Sequence, residues 1–150
     1  MKKKYFNDVL ARLEETVPAL RWIDADEGQL NFSDSRPPIA FPGCLVEMNV
    51  AGCENISVDP RAPQRIELRF NLKVAFNDCA SFNTKSPVMV RQKANERFDV
   101  LESIHSTLQG WRTEDCIKAF SRVSVKDEKR PDGLKVYNCL YTAFFMDRIE

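Results

Sequence analysis

The chain has 150 residues, and its 22 lysines and arginines balance 22 aspartates and glutamates, so the formal net charge at pH 7 is zero. Zero net charge argues against a general nucleic-acid binder, which carries an excess of basic residues. Hydrophobic residues make up 43% and charged residues 29%, which is typical of a folded globular protein and excludes a disordered one. No run of about 18 apolar residues occurs, so we expect no membrane span. We predict a single domain over residues 1–150.

The N-terminal residues and the cysteines bear on the compartment. Lys2, Lys3 and Lys4 precede charged residues rather than the apolar segment of a signal peptide, so we expect no export and a cytoplasmic location. The spacings of the five cysteines match neither a disulfide framework nor a CxxC metal motif. We therefore expect these cysteines to be reduced.

The first third of the chain is predicted to form one helix and two strand regions. Apolar residues recur at steps of three and four from Phe6 to Val17, and Pro18 ends this amphipathic helix. Residues 22–32 hold two short apolar segments around an acidic turn, which could form a short hairpin or two edge pieces. Residues 39–50 contain alternating apolar and polar side chains, which predicts a half-buried strand.

The clearest alternation lies in residues 66–76. Apolar side chains occupy every second position from Ile66 to Phe76. Most of the residues between them have charged or amide side chains. This pattern predicts a strand with one face in the core and one face in water. At about 3.3 Å per residue, the strand is roughly 36 Å long. It therefore crosses nearly the whole of a domain of this size.

A long helix is predicted next. Ser86 and Pro87 are typical of an N-cap followed by the first helical residue, and Gly110 is a typical C-terminal stop. The apolar stripe of this helix is predicted to comprise Val90, Ala94, Phe98, Leu101, His105 and Leu108, with Ile104 beside it. His105 is the single histidine of the chain and is spaced like the core residues around it. We interpret His105 as a structural residue.

Two strands complete the chain, over residues 117–125 and 134–146, and Pro131-Asp132-Gly133 is a turn signal between them. Apolar and aromatic side chains occupy both faces of the last strand. Such a strand is either central and covered on both faces within one subunit, or covered on one face by a second subunit. The sequence leaves both alternatives open. The candidate self-association residues are Tyr137, Tyr141 and Phe145.

Two loops are candidate partner contacts. Residues 51–64 separate two strands that are expected to be antiparallel neighbours, although a hairpin loop usually needs only about two to five residues. Residues 77–85 contain an aromatic side chain among polar ones, which either contacts a partner or folds back onto the core. The candidate contact residues in these loops are Asn55, Ile56, Val58, Arg61 and Phe82.

The sequence offers no catalytic, cofactor-binding or metal-binding residues. Its five glycines are too scattered for a phosphate-binding loop. Asp24, Asp26 and Gly28 resemble the start of a calcium loop, but the later ligand positions of such a loop are not acidic. The short basic segments are offset by acids, so nucleic acid is not expected as a direct ligand. We expect other protein surfaces to be the partners.

The order of elements predicts an α+β fold. It is expected to be a mostly antiparallel sheet of four to five strands with two helices on one face, in the order α-β-β-α-β-β, with room for an extra short hairpin. This order resembles that of the tail terminator, or tail completion, proteins of long-tailed bacteriophages and of related prophage neck proteins. Three segments carry the resemblance, namely residues 21–30, 41–47 and 100–111.

The resemblance implies a ring-forming structural protein, typically a hexamer, that stops the polymerisation of a tail tube and offers a surface for head joining. Its implied partners are further copies of itself, the tail tube protein and head-completion proteins, and its implied final location is the virion tail. The resemblance implies no catalytic residue. The alternative is a small α+β enzyme or ligand-binding domain with an apolar pocket near His105.

Overall fold

The computed structural model describes residues 2–31 and 37–149. Its elements are α1 (Lys3–Thr16), β1 (Trp22–Ala25), a 3-10 helix (Gln29–Asn31), β2 (Gly43–Asn55), β3 (Gln64–Phe76), α2 (Val88–Leu108), β4 (Cys116–Asp127) and β5 (Lys135–Asp147). The strands form one sheet in the order β1-β2-β3-β5-β4. β1 pairs with β2 in parallel, and the other neighbours pair antiparallel. The predicted α+β fold with a mostly antiparallel sheet is confirmed.

Both helices pack on the same face of the sheet. The buried residues of this layer include Tyr5, Val9 and Leu13 from α1, Val100, Ile104 and Leu108 from α2, and Ile66, Leu68, Phe70, Leu72, Val74 and Phe76 from β3. The β3 residues are those of the predicted alternating stripe. Since each fully buried large apolar side chain contributes about 1.5–3 kcal/mol, this layer is a major source of stability.

The opposite face of the sheet is covered at one end. There Leu30, Leu45, Ala75, Leu134 and Val136 form a second small cluster. Arg130 in the β4–β5 turn links that turn to the 3-10 helix. Its guanidinium donates hydrogen bonds to the carbonyl of Leu30 at 2.5 Å and to Asn31 Oδ1 at 3.0 Å. The basic segment that contains Arg130 is therefore partly structural.

The β2–β3 loop is shorter than predicted. β2 continues to Asn55 and pairs with β3 as far as Gln64, so the loop is residues 56–63 rather than 51–64. All side chains of residues 51–55 are exposed, and a bulge interrupts the register between Val50 and Gly52. Backbone pairing without a buried face leaves no periodic pattern in the sequence, which is why this half of the strand was not predicted.

Residues 17–31, the described part of the segment after α1, do not form a hairpin. β1 is a four-residue edge strand that lies parallel to the start of β2, with Trp22 opposite Gly43 and Ala25 opposite Val46. The chain then turns into the 3-10 helix. Phe32, the end of the predicted second piece, lies outside the described residues.

The ends of α2 are partly as predicted. Pro87 occupies the N-cap position and no side chain caps the helix by a hydrogen bond, so Ser86 is not the N-cap. The helix ends as expected, because Gly110 adopts a φ of +77°, a conformation that glycine adopts without steric cost.

The buried stripe of α2 is rotated relative to the prediction. Arg97 is 3% exposed, whereas Phe98 is 48% exposed. The helical pattern assigns charged side chains to the solvent, but Arg97 has a carboxylate partner in Asp78 and is therefore stable in the interior. Within the described residues, neither helix is long and apolar enough to span a membrane.

Candidate functional site

Residues 56–63, the hairpin tip, extend beyond the end of the sheet. Ile56 is 54% exposed and Val58 is fully exposed. Two internal hydrogen bonds shape the tip. The Asp59 carboxylate accepts one from the backbone N–H of Arg61 at 3.0 Å, and the Asp59 backbone carbonyl accepts one from the N–H of Ala62 at 3.1 Å. A polar turn therefore presents two apolar side chains to solvent, where a partner can contact them.

The structure brings four of the predicted contact residues together at this end of the molecule. Ile56, Val58 and Arg61 are exposed on the hairpin tip. Asn55 ends β2 at the base of the tip, where its Oδ1 accepts a hydrogen bond from Gln64 Nε2 at 2.8 Å. Asn55 thus closes the hairpin, and the residues beyond it are the ones available to a partner.

Phe82 lies away from the tip, beyond the other end of β3. Its ring stacks on Phe98 with centroids 5.4 Å apart, and the Arg97 guanidinium lies 5.5 Å from its centroid. Phe82 nevertheless remains 41% exposed. It therefore folds onto α2 and still presents one side to solvent, which combines the two alternatives left open by the sequence.

A buried ion pair fixes the loop that carries Phe82. Arg97 Nη2 lies 2.6 Å and Arg97 Nε 2.9 Å from the two carboxylate oxygens of Asp78, and Nη2 also donates to the carbonyl of Ala80 at 3.1 Å. The hydrogen bonds from Arg97 lower the pKa of Asp78, and those to Asp78 raise the pKa of Arg97. Sequence reasoning missed this pair, although Arg97 is spaced three residues from both Ala94 and Val100, which are buried.

A surface groove of about 370 Å³, the α2 groove, lies beside this ion pair. Its apolar lining includes Phe41, Phe76 and Val100, and its charged lining includes Lys93, Glu96 and Asp99. Phe76 and Val100 are largely buried, whereas the three charged side chains on α2 are exposed. The groove thus combines an apolar floor with a rim of both charges, an arrangement suited to an amphipathic ligand.

The candidate self-association residues of β5 lie on the helix-covered face. Tyr141 and Phe145 are each 1% exposed, and the Phe145 ring lies 4.5 Å from that of Tyr5 in α1. Tyr137 is half-buried on the same face. β5 lies between β3 and β4, and the helices of the same chain cover these side chains, so of the two alternatives that the sequence left open this face fits coverage within one subunit. An apolar face has the same sequence pattern whichever surface covers it.

The other face of β5 is more open. Leu140, Phe144 and Met146 are half-buried there. Phe144 lies between two cations, with the Arg65 guanidinium 4.8 Å and the Lys118 ammonium 5.2 Å from its ring centroid. These contacts cover part of the apolar surface with charged side chains and keep this face hydrated.

His105 is engaged with the core. Its Nδ1 lies 3.1 Å from the Tyr141 hydroxyl, with which it shares a hydrogen bond. Burial raises the pKa of Tyr141 to about 12, so the hydroxyl remains protonated at neutral pH. His105 does not line the α2 groove. The α2 groove is therefore a different site from the pocket near His105 that the alternative prediction named.

Metal-ligating side chains are not clustered in the part of the chain that the structure describes. In residues 2–31 and 37–149, no three His, Cys, Asp or Glu side chains are arranged to hold a metal ion. Asp24 and Asp26 instead accept local hydrogen bonds, from the backbone N–H of Ala25 at 2.8 Å and of Gly28 at 3.1 Å. These acids form a turn.

Comparison with known proteins yields no match to a protein-family model and none to a curated protein sequence. Among solved structures, the chain is similar to one chain of the virion of a native gene transfer agent (GTA) particle. The two are 10% identical with a TM-score of 0.49, and the alignment covers 92% of this chain and 84% of that chain. A similarity this low does not assign a function.

Proposed function

We propose that this chain is a structural protein of a phage or prophage particle, which acts as a ring-forming tail terminator or head–tail joining component. It works through contacts with copies of itself, with the tail tube and with head-completion proteins, and it catalyses no reaction. The observation that carries the proposal is the hairpin tip, where Ile56 and Val58 are held in solvent at the end of a paired hairpin. A subunit contact would remove both side chains from water, which favours association.

The sequence resemblance to tail terminator proteins supports the same proposal. Two of its three segments, residues 21–30 and 41–47, contain the paired strand β1 and the start of β2. The third, residues 100–111, contains the end of α2 and its glycine stop. These segments form the β1–β2 edge of the sheet and the end of α2, so the resemblance concerns structural positions and implies no catalytic residue.

Deleting the gene in the strain that encodes it tests the proposal. Electron microscopy of the particles released after induction is expected to show tail tubes of uncontrolled length that are not joined to heads. A plasmid copy of the wild-type gene should restore joined particles, and an empty plasmid should not. Particles of normal length and normal joining after deletion would rule out the proposed role.

A further inference from the structure

We propose that the hairpin tip of one copy docks into the α2 groove of the next copy, and that this contact links the subunits of the ring. The inference rests on the proposed function and specifies the surfaces through which a ring would form. Each subunit would contribute its tip to one neighbour and its groove to the other.

The positions of the two surfaces make the contact intermolecular. The hairpin tip directly precedes Gln64, the first residue of β3, and the α2 groove is lined by Phe76, the last residue of β3. At about 3.3 Å per residue, the strand separates them by roughly 40 Å. A tip cannot reach the groove of its own chain. Two different surfaces at opposite ends of one subunit give head-to-tail association, which closes into a ring when the rotation between subunits permits.

The chemistry of the tip matches that of the groove. Ile56 and Val58 supply exposed apolar side chains for a floor that includes Phe41 and Phe76. Burying such side chains favours association by about 25 cal/mol for each Å² of apolar surface removed from water.

The charges also match. The tip carries one acid, Asp59, and one base, Arg61, while the rim of the groove carries Lys93 as its base with Glu96 and Asp99 as acids. In the proposed contact, Asp59 faces Lys93 and Arg61 faces the two acids. Complementary charges of this kind fix the orientation of a docked segment.

Both surfaces are ordered before they meet. Internal hydrogen bonds of Asp59 shape the tip, and the Arg97–Asp78 ion pair lies in the wall of the groove. Association therefore orders few additional side chains, which lowers its entropic cost. The groove volume of about 370 Å³ is suited to a few side chains of a loop.

Complementation between two variants tests the inference. Val58→Asp damages the tip and leaves the groove intact, whereas Ala19→Arg fills the groove and leaves the tip intact; both positions are exposed, so folding should be preserved. In sedimentation velocity, wild type is expected to form a ring-sized species and each variant alone a monomer. An equimolar mixture should give a 1:1 heterodimer and nothing larger, because it contains one intact interface.

Val123→Asp is the matched control, because Val123 is an exposed valine on the β4 edge. This variant should remain ring-sized. If Val123→Asp dissociates the ring and Val58→Asp does not, the interface is the β4 edge and the inference is wrong. A wild-type chain that stays monomeric at its highest soluble concentration would also overturn docking between copies. The gene deletion would still decide the proposed function separately.

A charge exchange provides an independent readout. Arg61→Glu and Glu96→Arg should each weaken association by about tenfold or more, because each places like charges opposite one another. The double variant restores opposite charges and should recover most of the affinity. If the double variant loses affinity by the product of the two single losses, the two residues do not face each other.

Discussion

Arg97 in α2 and Asp78 beyond the end of β3 form a bidentate ion pair, with donor–acceptor distances of 2.6 and 2.9 Å. Arg97 is almost completely buried, so neither water nor salt can replace its partner effectively. The pair joins the loop that carries Phe82 to the helix that forms one side of the α2 groove. Loss of the ion pair is therefore expected to change both the stability of the fold and the shape of the α2 groove.

Replacing Asp78 with alanine should reduce the free energy of unfolding by about 3–5 kcal/mol, since it leaves a buried guanidinium without its carboxylate. Urea denaturation followed by circular dichroism measures this change. Asp99→Ala is the matched control, because Asp99 is exposed on α2 and its loss should cost less than about 0.5 kcal/mol. Equal effects of the two substitutions would contradict the importance of the pair.

The same pair predicts a dependence of stability on pH. Hydrogen bonds from Arg97 lower the pKa of Asp78 below its ordinary value of 3.8. Above pH 3.8 the carboxylate is ionised and contributes its full stabilisation to the fold. This contribution is lost as the pH falls through the pKa of Asp78 in the folded protein, which is lower than 3.8. The pKa values of Asp127 and Asp132 are also lowered, so these two residues likewise reduce the stability of the fold as the pH falls.

Wild type and Asp78→Asn should be compared by urea denaturation from about pH 6 to about pH 2. The difference in their unfolding free energies should shrink as the pH falls, because protonation removes the charge that the variant already lacks. The contributions of Asp127 and Asp132 are present in both proteins and cancel in this difference. A difference that stays constant over the whole range would contradict the lowered pKa of Asp78.

Leu72 lies at the centre of β3 and has no exposed surface. Leu72→Ala should reduce the unfolding free energy by about 2–5 kcal/mol, through lost apolar burial and the cavity left between sheet and helices. Val123→Ala, at an exposed position, should change it by less than about 0.5 kcal/mol. An unchanged melting temperature for Leu72→Ala would mean that β3 does not have the register described.

His105 is expected to be replaceable by glutamine at little cost. A glutamine side chain can still pair with the Tyr141 hydroxyl, whereas leucine removes this hydrogen bond and leaves the hydroxyl with the Arg122 side chain as its partner. We expect His105→Leu to cost about 0.5–1.5 kcal/mol, the net value of one hydrogen bond, and His105→Gln to cost less. Thermal unfolding of both variants measures the difference. If particle assembly fails with a normally folded His105→Gln variant, the residue has a role beyond the core.

The cysteines should differ in reactivity. Cys53 and Cys79 are exposed, whereas Cys44 and Cys139 are buried. Burial raises the pKa of the Cys44 thiol and raises that of Cys139 to about 11, so neither is a thiolate at neutral pH. Iodoacetamide labelling with mass spectrometry should modify Cys53 and Cys79 in the folded protein, and Cys44 and Cys139 only after unfolding. Early labelling of Cys44 would contradict its position in the core.

The sequence by itself determined those features that recur along the chain. The alternation from Ile66 to Phe76 defined a buried face of β3, and the spacing from Phe6 to Val17 defined α1, because each pattern records which side of an element avoids water. The turn at Gly133 and the stop at Gly110 were readable for a local reason, since both glycines adopt positive φ angles.

Only the tertiary structure decided which surfaces remain available. It showed that helices of the same chain cover Tyr141 and Phe145, and that Arg97 is buried against Asp78. It also showed that β2 continues to Asn55. These features depend on which distant segments meet, and on backbone hydrogen bonds that every residue type can make. Neither cause leaves a periodic pattern in the order of the side chains.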